Sequence, residues 1–166
     1  KAISLLSNSN KQQRFLSDYL KRIIANEGEA RDSRFLAANY LMQMNDLDGL
    51  IYCATEILNN PNPQFDFRND LNNMARLKNP AAIPILMQLL YLGTQKEYQL
   101  DRFNSLESII IDTLYNIGIE SDANFVMVRD AILQFKIKNE DKLENLNFLY
   151  FTIKKMEDLE ESSVSY

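Results

Sequence analysis

Few side chains in this chain are of the types that carry out catalysis or bind metals. The 166 residues include no histidine and one cysteine, Cys53. Without histidine, the chain cannot build a Ser-His-Asp or Cys-His site, or a zinc or haem site with a histidine ligand. A single cysteine excludes an internal disulfide and a zinc site made of cysteines alone. Because Cys53 lies at the edge of a predicted apolar helix face, we expect a buried, inert thiol.

One acidic segment has part of a metal-binding pattern. Residues 46–49, Asp-Leu-Asp-Gly, resemble the start of a calcium loop. Such a loop also needs an acidic residue where this chain has Met44 and a glutamate where it has Thr55. Since both are missing, we expect Asp46 to cap a helix rather than bind a metal ion.

The patterns of other catalytic sites are also incomplete. Asp141 and Glu144 lie one helical turn apart, but no neighbouring sequence predicts the apolar pocket that would shift their pKa values. The four glycines do not form a phosphate-binding loop. We therefore predict no catalytic, cofactor-binding or metal-binding residue, and no enzymatic activity in this segment.

The charge balance argues against nucleic acid as a partner. The net charge is −5, whereas strong nucleic-acid binders are usually basic. Residues 1–34 carry seven basic and four acidic side chains, and the remainder carries 11 basic and 19 acidic ones. This asymmetry indicates a solvated face, with a polar docking surface as the alternative.

Targeting signals are missing from the sequence. No apolar run approaches the roughly 20 residues that span a bilayer, and residues 1–30 lack a signal-peptide pattern. A lone cysteine fits a reducing compartment. We predict a cytoplasmic location with no membrane partner. Because the chain starts at Lys1 instead of methionine, we expect a fragment of a larger protein.

The spacing of apolar residues is helical nearly throughout. The clearest helix is 106–117, where Asn104 and Glu107 resemble a capping box and Gly118 suits a left-handed end. For a helix over 80–92 we expect Asn79 as the cap, Pro80 in the first position and a bend at Pro84. Further helices are predicted over 12–26, 33–44, 47–58, 66–77, 122–137 and 142–158. No alternating strand pattern competes, so the fold class is all-α.

Three helix ends resemble one another. Alignment of Leu41, Met74 and Leu114 gives spacings of 33 and 40 residues, and a further 39 residues lead to Ile153. A two-helix unit that recurs at such intervals is typical of an α-solenoid.

One of these units resembles a HEAT repeat. Residues 79–90, Asn-Pro-Ala-Ala-Ile-Pro followed by a leucine-rich run, resemble the first helix of that repeat, and 106–118 resembles the second. The resemblance implies a right-handed α-solenoid of about four HEAT-like helix pairs. We divide the chain into a lead-in (1–10), units at 11–45, 46–78, 79–118 and 121–158, and an acidic, serine-rich tail (159–166).

The match departs from the family pattern in several places. The Asp and Arg common at the ridge between HEAT repeats are not regularly placed, the unit at 46–78 is short, and the loop at 93–103 is long. The choice among HEAT, armadillo and TPR-like subtypes therefore stays open, although the TPR Trp-Leu-Gly signature is absent. A helical bundle without repeats is a further alternative.

The resemblance implies a non-enzymatic interaction or scaffold module. Its partner would be a protein, a peptide or further domains of the same chain. One alternative is the C-terminal sensor region of a bacterial NACHT-type signal-transduction NTPase. A second is a HEAT-like nucleic-acid-processing enzyme, which the acidic charge and the absence of Trp disfavour. Candidate contacts lie opposite the apolar stripe on the second helix of each pair, although any solvated helix face carries such residues: Asn39, Gln43, Arg68, Asn72, Arg76, Asp112, Tyr115 and Asn116.

Overall fold

All regular elements in the described part of the chain are helical. In this computed structural model, the structure describes residues 2–59, 73–93 and 103–139, with side chains described at 11–59, 73–92 and 109–139. The α-helices are α1 (Ala2–Ala25), α2 (Arg31–Gln43), α3 (Leu47–Asn59), α4 (Ile83–Gly93), α5 (Phe103–Gly118) and α6 (Asp122–Lys138). Short 3₁₀ turns cover Met74–Arg76 and Pro80–Ala82. The all-α prediction is therefore confirmed for these residues.

Several sequence predictions lie outside the described residues. They are the helix at 142–158, the tail at 159–166, most of the helix at 66–77 and the contact candidates Arg68 and Asn72. The side chains of Asn104 and Glu107, the expected capping box, are also outside the described side chains. The helix itself begins at Phe103, one residue before the expected cap.

The first helix begins earlier than its apolar pattern predicts. The sequence predicts a helix from residue 12, whereas α1 begins at Ala2. Residues 7–10 are all polar and add no apolar stripe from which a helix could be recognised. The backbone remains helical because helical hydrogen bonds do not require an apolar face.

The predicted helix over 66–77 is wrong at the end that is described. Met74–Arg76 form a single 3₁₀ turn, after which Leu77 adopts an extended conformation. Both Met74 and Leu77 are fully buried. Burial of these two side chains accounts for the apolar spacing that the sequence analysis assigned to a helix.

Pro80 and Pro84 both lie near the start of a helical segment. Asn79 does cap, since its side chain accepts a hydrogen bond from the Ala81 N–H at 3.0 Å. The capped element, however, is the 3₁₀ turn that begins at Pro80, and α4 starts only at Ile83. Pro84 therefore lies in the first turn of α4, where a missing N–H removes no helical hydrogen bond.

The left-handed residue is Asn45, and the prediction for Gly118 is wrong. No described glycine has a positive φ, and Gly118 is the last residue of α5. Asn45 has a φ of 59° between α2 and α3. Its N–H donates to Met42 O at 3.0 Å, and the next N–H donates to Leu41 O at 2.9 Å. These two bonds form a Schellman motif, in which asparagine is the commonest substitute for glycine.

The helices pack in two layers. Consecutive helices contact one another, but contacts also join alternate elements. One series runs from α1 to α3, α4 and α6, which we call the first layer. The other runs from α2 through the turn Met74–Arg76 to α5, which we call the second layer. Each layer is therefore built from alternate elements along the chain.

The core lies between the layers and is continuous along them. One apolar cluster contains side chains from every helix from α2 to α6, including Leu50, Leu86, Leu114 and Ile132. A smaller cluster of Leu20, Ala37 and Leu41 joins α1 to α2. The three aligned positions, Leu41, Met74 and Leu114, are all fully buried.

Candidate interaction surface

The outward face of α2 exposes large apolar side chains. Leu36 and Tyr40 are 57% and 48% exposed, and Gln43 continues the same stripe. Successive helical residues turn by about 100°, so this stripe lies opposite the buried Ala38 and Met42. Since the buried side contacts the first layer and the core, the exposed stripe points away from both.

Arg76 is an exposed charged residue in the second layer, between α2 and α5 in the chain. It ends the turn Met74–Arg76, which contacts both α2 and α5. The turn is held to α5 because Asn116 Nδ2 donates to Ala75 O at 2.8 Å. Asn116 therefore has a structural bond within the second layer and is only partly exposed.

The outward face of α5 continues the surface. Asp112 is exposed, Tyr115 is partly exposed, and Ile119, immediately after the helix, is exposed. The buried Leu114 and Ile117 lie on the opposite side. We call Leu36, Tyr40, Gln43, Arg76, Asp112, Tyr115 and Ile119 together the second-layer face.

The predicted contact residues divide into two groups. Gln43, Arg76 and Asp112 are exposed on the second-layer face. Asn39 is 6% exposed, and its Nδ2 donates to Phe35 O at 3.2 Å, so its side chain does not belong to that face. Asn39 lies at the boundary between the two sides of α2, about 60° from Met42 and about 40° from Gln43 on the helix.

The sequence analysis missed Leu36, Tyr40 and Ile119. The spacing in the sequence could have identified Leu36 and Tyr40. They are four residues apart and therefore share one side of the helix, whereas Phe35, Ala38 and Met42 share the other. Apolar residues off the core stripe were not distinguished from core residues, since α2 carries apolar residues on nearly every side.

A polar cluster joins α1 to the turn between α2 and α3. Asp46 Oδ2 accepts from Ser17 Oγ at 2.9 Å and lies 2.8 Å from Lys21 Nζ. Lys21 also lies 2.9 Å from Asp48, and Asp46 Oδ1 accepts from the Asp48 N–H at 3.1 Å. The last bond confirms that Asp46 caps α3.

The electrostatics of this cluster favour its ionised form. Partial burial raises the pKa of Asp46, but the hydrogen bonds from Lys21, the Asp48 N–H and Ser17 outweigh burial and lower it below its usual value. The hydrogen bonds that Lys21 donates to the carboxylates of Asp46, first, and Asp48, second, raise the pKa of Lys21. An open cleft of about 400 Å³ lies beside the cluster, lined by Gln13, Arg14, Ser17, Met44 and Asp46.

The cluster is arranged as a structural junction. Both oxygens of Asp46 already have protein partners, and Lys21 occupies the space between the two carboxylates. Within residues 2–59, 73–93 and 103–139, no group of three histidine, cysteine, aspartate or glutamate side chains could hold a metal ion. The part of a calcium-loop pattern at 46–49 thus serves helix capping and ion pairing.

Aromatic and basic side chains fix α2 against its neighbours. Arg31 lies over the Phe35 ring at 4.2 Å, and Arg34 lies over the Tyr52 ring at 4.9 Å. Arg34 Nε also donates to Ile24 O at 3.0 Å. Burial, followed by the nearby Glu56 carboxylate, raises the pKa of Tyr52. Two of the seven basic residues of 1–34, Arg34 and Lys21, therefore help to hold α1, α2 and α3 together.

Comparisons with known proteins add no relative. No protein-family model, curated protein or solved structure matches this chain. None of the described helices combines the length and the apolar character that a membrane span requires.

Proposed function

We propose that this chain is a non-enzymatic protein-interaction module that binds a protein segment on its second-layer face. The observation that carries the proposal is the exposure of Leu36 and Tyr40 on the side of α2 that points away from the core. Exposed apolar side chains set among polar ones are typical of protein-binding surfaces, and tyrosine and arginine are enriched at their centres.

The scaffold of this module would be a right-handed α-solenoid of about four HEAT-like pairs. The repeat is supported by three capping residues, each of which lies just before an element of the first layer. Asp46, Asn79 and Ser121 each accept a hydrogen bond from a backbone N–H two or three residues later, at 3.1, 3.0 and 3.2 Å. The intervals between them, 33 and 42 residues, are close to those between the buried Leu41, Met74 and Leu114.

Polar bonds also connect successive turns along the array. Asn45 Oδ1 accepts from the Lys78 N–H at 2.8 Å, which joins positions 33 residues apart. Lys78 Nζ then lies 2.6 Å from Glu120. Contacts between equivalent turns are what a stack of similar units requires, because each unit packs only on its neighbours.

The chemistry of the face defines the partner. Leu36, Tyr40 and Ile119 would take apolar side chains, whereas Gln43, Arg76 and Asp112 would bind polar and charged groups around them. Both charge signs are present, so the face favours a peptide of mixed charge over a polyanion such as nucleic acid.

A displayed library of random peptides tests the proposal without a known partner. We expect the chain to enrich peptides with apolar anchors, and Tyr40→Ala to weaken their binding at least tenfold, as a central anchor would. Tyr91→Ala is the matched control, since Tyr91 is 49% exposed but lies on α4 in the first layer. Equal loss in both variants, or no enrichment at all, would contradict the proposal.

A further inference from the structure

The most exposed large apolar side chains lie at the two ends of the first layer. Phe15 on α1 is 76% exposed and Ile137 on α6 is 75% exposed, more than any other such side chain in the described residues. Helices α1 and α6 are the ends of the series of contacts from α1 to α3, α4 and α6. Apolar side chains that are this exposed within a contiguous patch are typical of surfaces that bind another protein.

The exposed stripe of α1 is aromatic and basic. Lys11, Phe15, Tyr19 and Arg22 follow one another at intervals of three or four residues, and all four side chains are exposed. They lie opposite Leu20 and Ile24, which pack on α2. We call these four residues the α1 ridge. Asp18, the one acidic residue of α1, lies at the edge of this ridge.

The exposed stripe of α6 is aliphatic and acidic. Asp122, Val126, Asp130, Leu133 and Ile137 share one side of the helix, opposite the buried Val128, Ile132 and Phe135. We call the first five residues the α6 ridge. Arg129 lies beside this ridge and pairs with Asp130 at 3.2 Å. The second carboxylate, on Asp122, is exposed at the start of α6.

We infer that the α1 ridge of one copy of this chain docks on the α6 ridge of a second copy, head to tail. The two ridges are complementary in charge, and each places apolar side chains between its charged ones. Two different surfaces that meet in this way form a heterologous contact, which grows into chains of copies or closes into a ring. The contact would extend the first layer across copies, as α3 and α4 extend it within one copy.

The contact would be weak and sensitive to salt. Each ridge offers only four or five side chains. A standard interface buries roughly 800 Å² per partner and uses about 20–30 residues on each side, so this contact is much smaller. We therefore expect a dissociation constant between about 1 μM and 1 mM. Because exposed charges contribute, association should weaken as the screening length falls from about 10 Å at 0.1 M salt to about 3 Å at 1 M.

Sedimentation of charge-swapped variants tests this inference. The purified chain should form larger species as its concentration rises, and Phe15→Ser should abolish them while Tyr91→Ser should not. Lys11→Glu with Arg22→Glu gives one swapped variant, and Asp122→Lys with Asp130→Lys gives the other. Each should remain monomeric alone, because its own two ridges then carry like charges. Circular dichroism of each variant checks that helicity is retained.

The mixture of the two swapped variants decides the outcome. Every ridge then meets one of opposite charge on the other variant, so the mixture should associate as the unmodified chain does. Monomers at all concentrations would overturn the inference and leave the ridges to another partner. A dimer that responds only to the α1 variant would overturn it as well, since that dimer would join two α1 ridges.

Discussion

At the scale of single residues, Asp46 both caps α3 and connects that helix to α1. The sequence predicts its capping role from its place before an apolar run, and the structure confirms that role. Its bonds to Ser17 and Lys21 join positions more than 20 residues apart, which no local pattern encodes. Sequence reasoning therefore identified the cap and could not identify its partners on α1.

Two substitutions of Asp46 separate the effect of its charge on stability from the effect of its helix capping. Asp46→Asn keeps a good capping residue, whereas Asp46→Ala loses the cap and should cost about 1 kcal/mol more in unfolding free energy. Since the folded pKa of Asp46 is lowered, its charge stabilises the fold above the usual aspartate value of about 3.9, and this contribution is lost as the pH falls through the lower folded value. Urea unfolding between neutral pH and pH 3 should show a smaller acid-induced loss for Asp46→Asn than for the unmodified chain.

Gly49 lies where α3 packs closely against α2. A Cβ atom there would collide with Ala38 O and come within 3.0 Å of the Leu41 Cβ atom. Although alanine is the better helix former by about 1 kcal/mol, we expect Gly49→Ala to lower the unfolding free energy by about 2 kcal/mol because backbone would have to move.

Gly28→Ala provides the control for this prediction. Gly28 lies in the turn after α1, and a Cβ atom there would approach only Asn26 Oδ1, at 3.3 Å. Denaturant unfolding should show little change for Gly28→Ala. Equal stability of the two variants would mean that α2 and α3 are not packed this closely.

At the scale of elements, the sequence predicted most helices and misplaced several ends. Helices α2, α3, α5 and α6 follow from apolar spacing, because one face of each is buried. The errors lie where tertiary contacts, and not the local sequence pattern, determine the backbone conformation. Leu77 is extended yet fully buried, and Gly118 stays helical at the end of α5. The left-handed residue in the described part of the chain is Asn45, at the end of a different helix, α2.

Asn45 both ends α2 and holds the next turn. Asn45→Gly should keep the left-handed conformation and lose only the bond to the Lys78 N–H. Asn45→Ala should lose the bond and also incur roughly 1 kcal/mol of left-handed strain. Thermal unfolding should therefore rank the unmodified chain above Asn45→Gly, and Asn45→Gly above Asn45→Ala. The reverse order of the two variants would exclude a left-handed residue at this position.

At the scale of the whole molecule, the second-layer face combines residues that the sequence identified with residues it did not. Gln43, Arg76 and Asp112 were predicted from their positions opposite apolar stripes. Leu36 and Tyr40 were missed because only the packing of α2 shows which of its apolar side chains remain outside the core. The relation between α2 and α5 depends on the turn between them, which the sequence predicted as part of a longer helix.

The two charges on this face should act on association more than on residence time. Arg76→Glu and Asp112→Lys each reverse an exposed charge. We expect either variant to change the association rate of a selected peptide, and its salt dependence, while the dissociation rate changes little. Stopped-flow kinetics at two salt concentrations measures both. A rate that is unchanged in both variants would remove Arg76 and Asp112 from the binding face.

An amide chemical-shift titration of the isotope-labelled chain with one selected peptide tests the second-layer face most directly. The signals of Leu36, Tyr40 and Gln43 on α2 should shift together with those of Asp112 and Ile119 in and after α5, along one saturation curve. Shifts confined to α1 and the cleft around Arg14 and Ser17 would contradict binding at this face, because the peptide would then bind at the polar junction and not across the second layer.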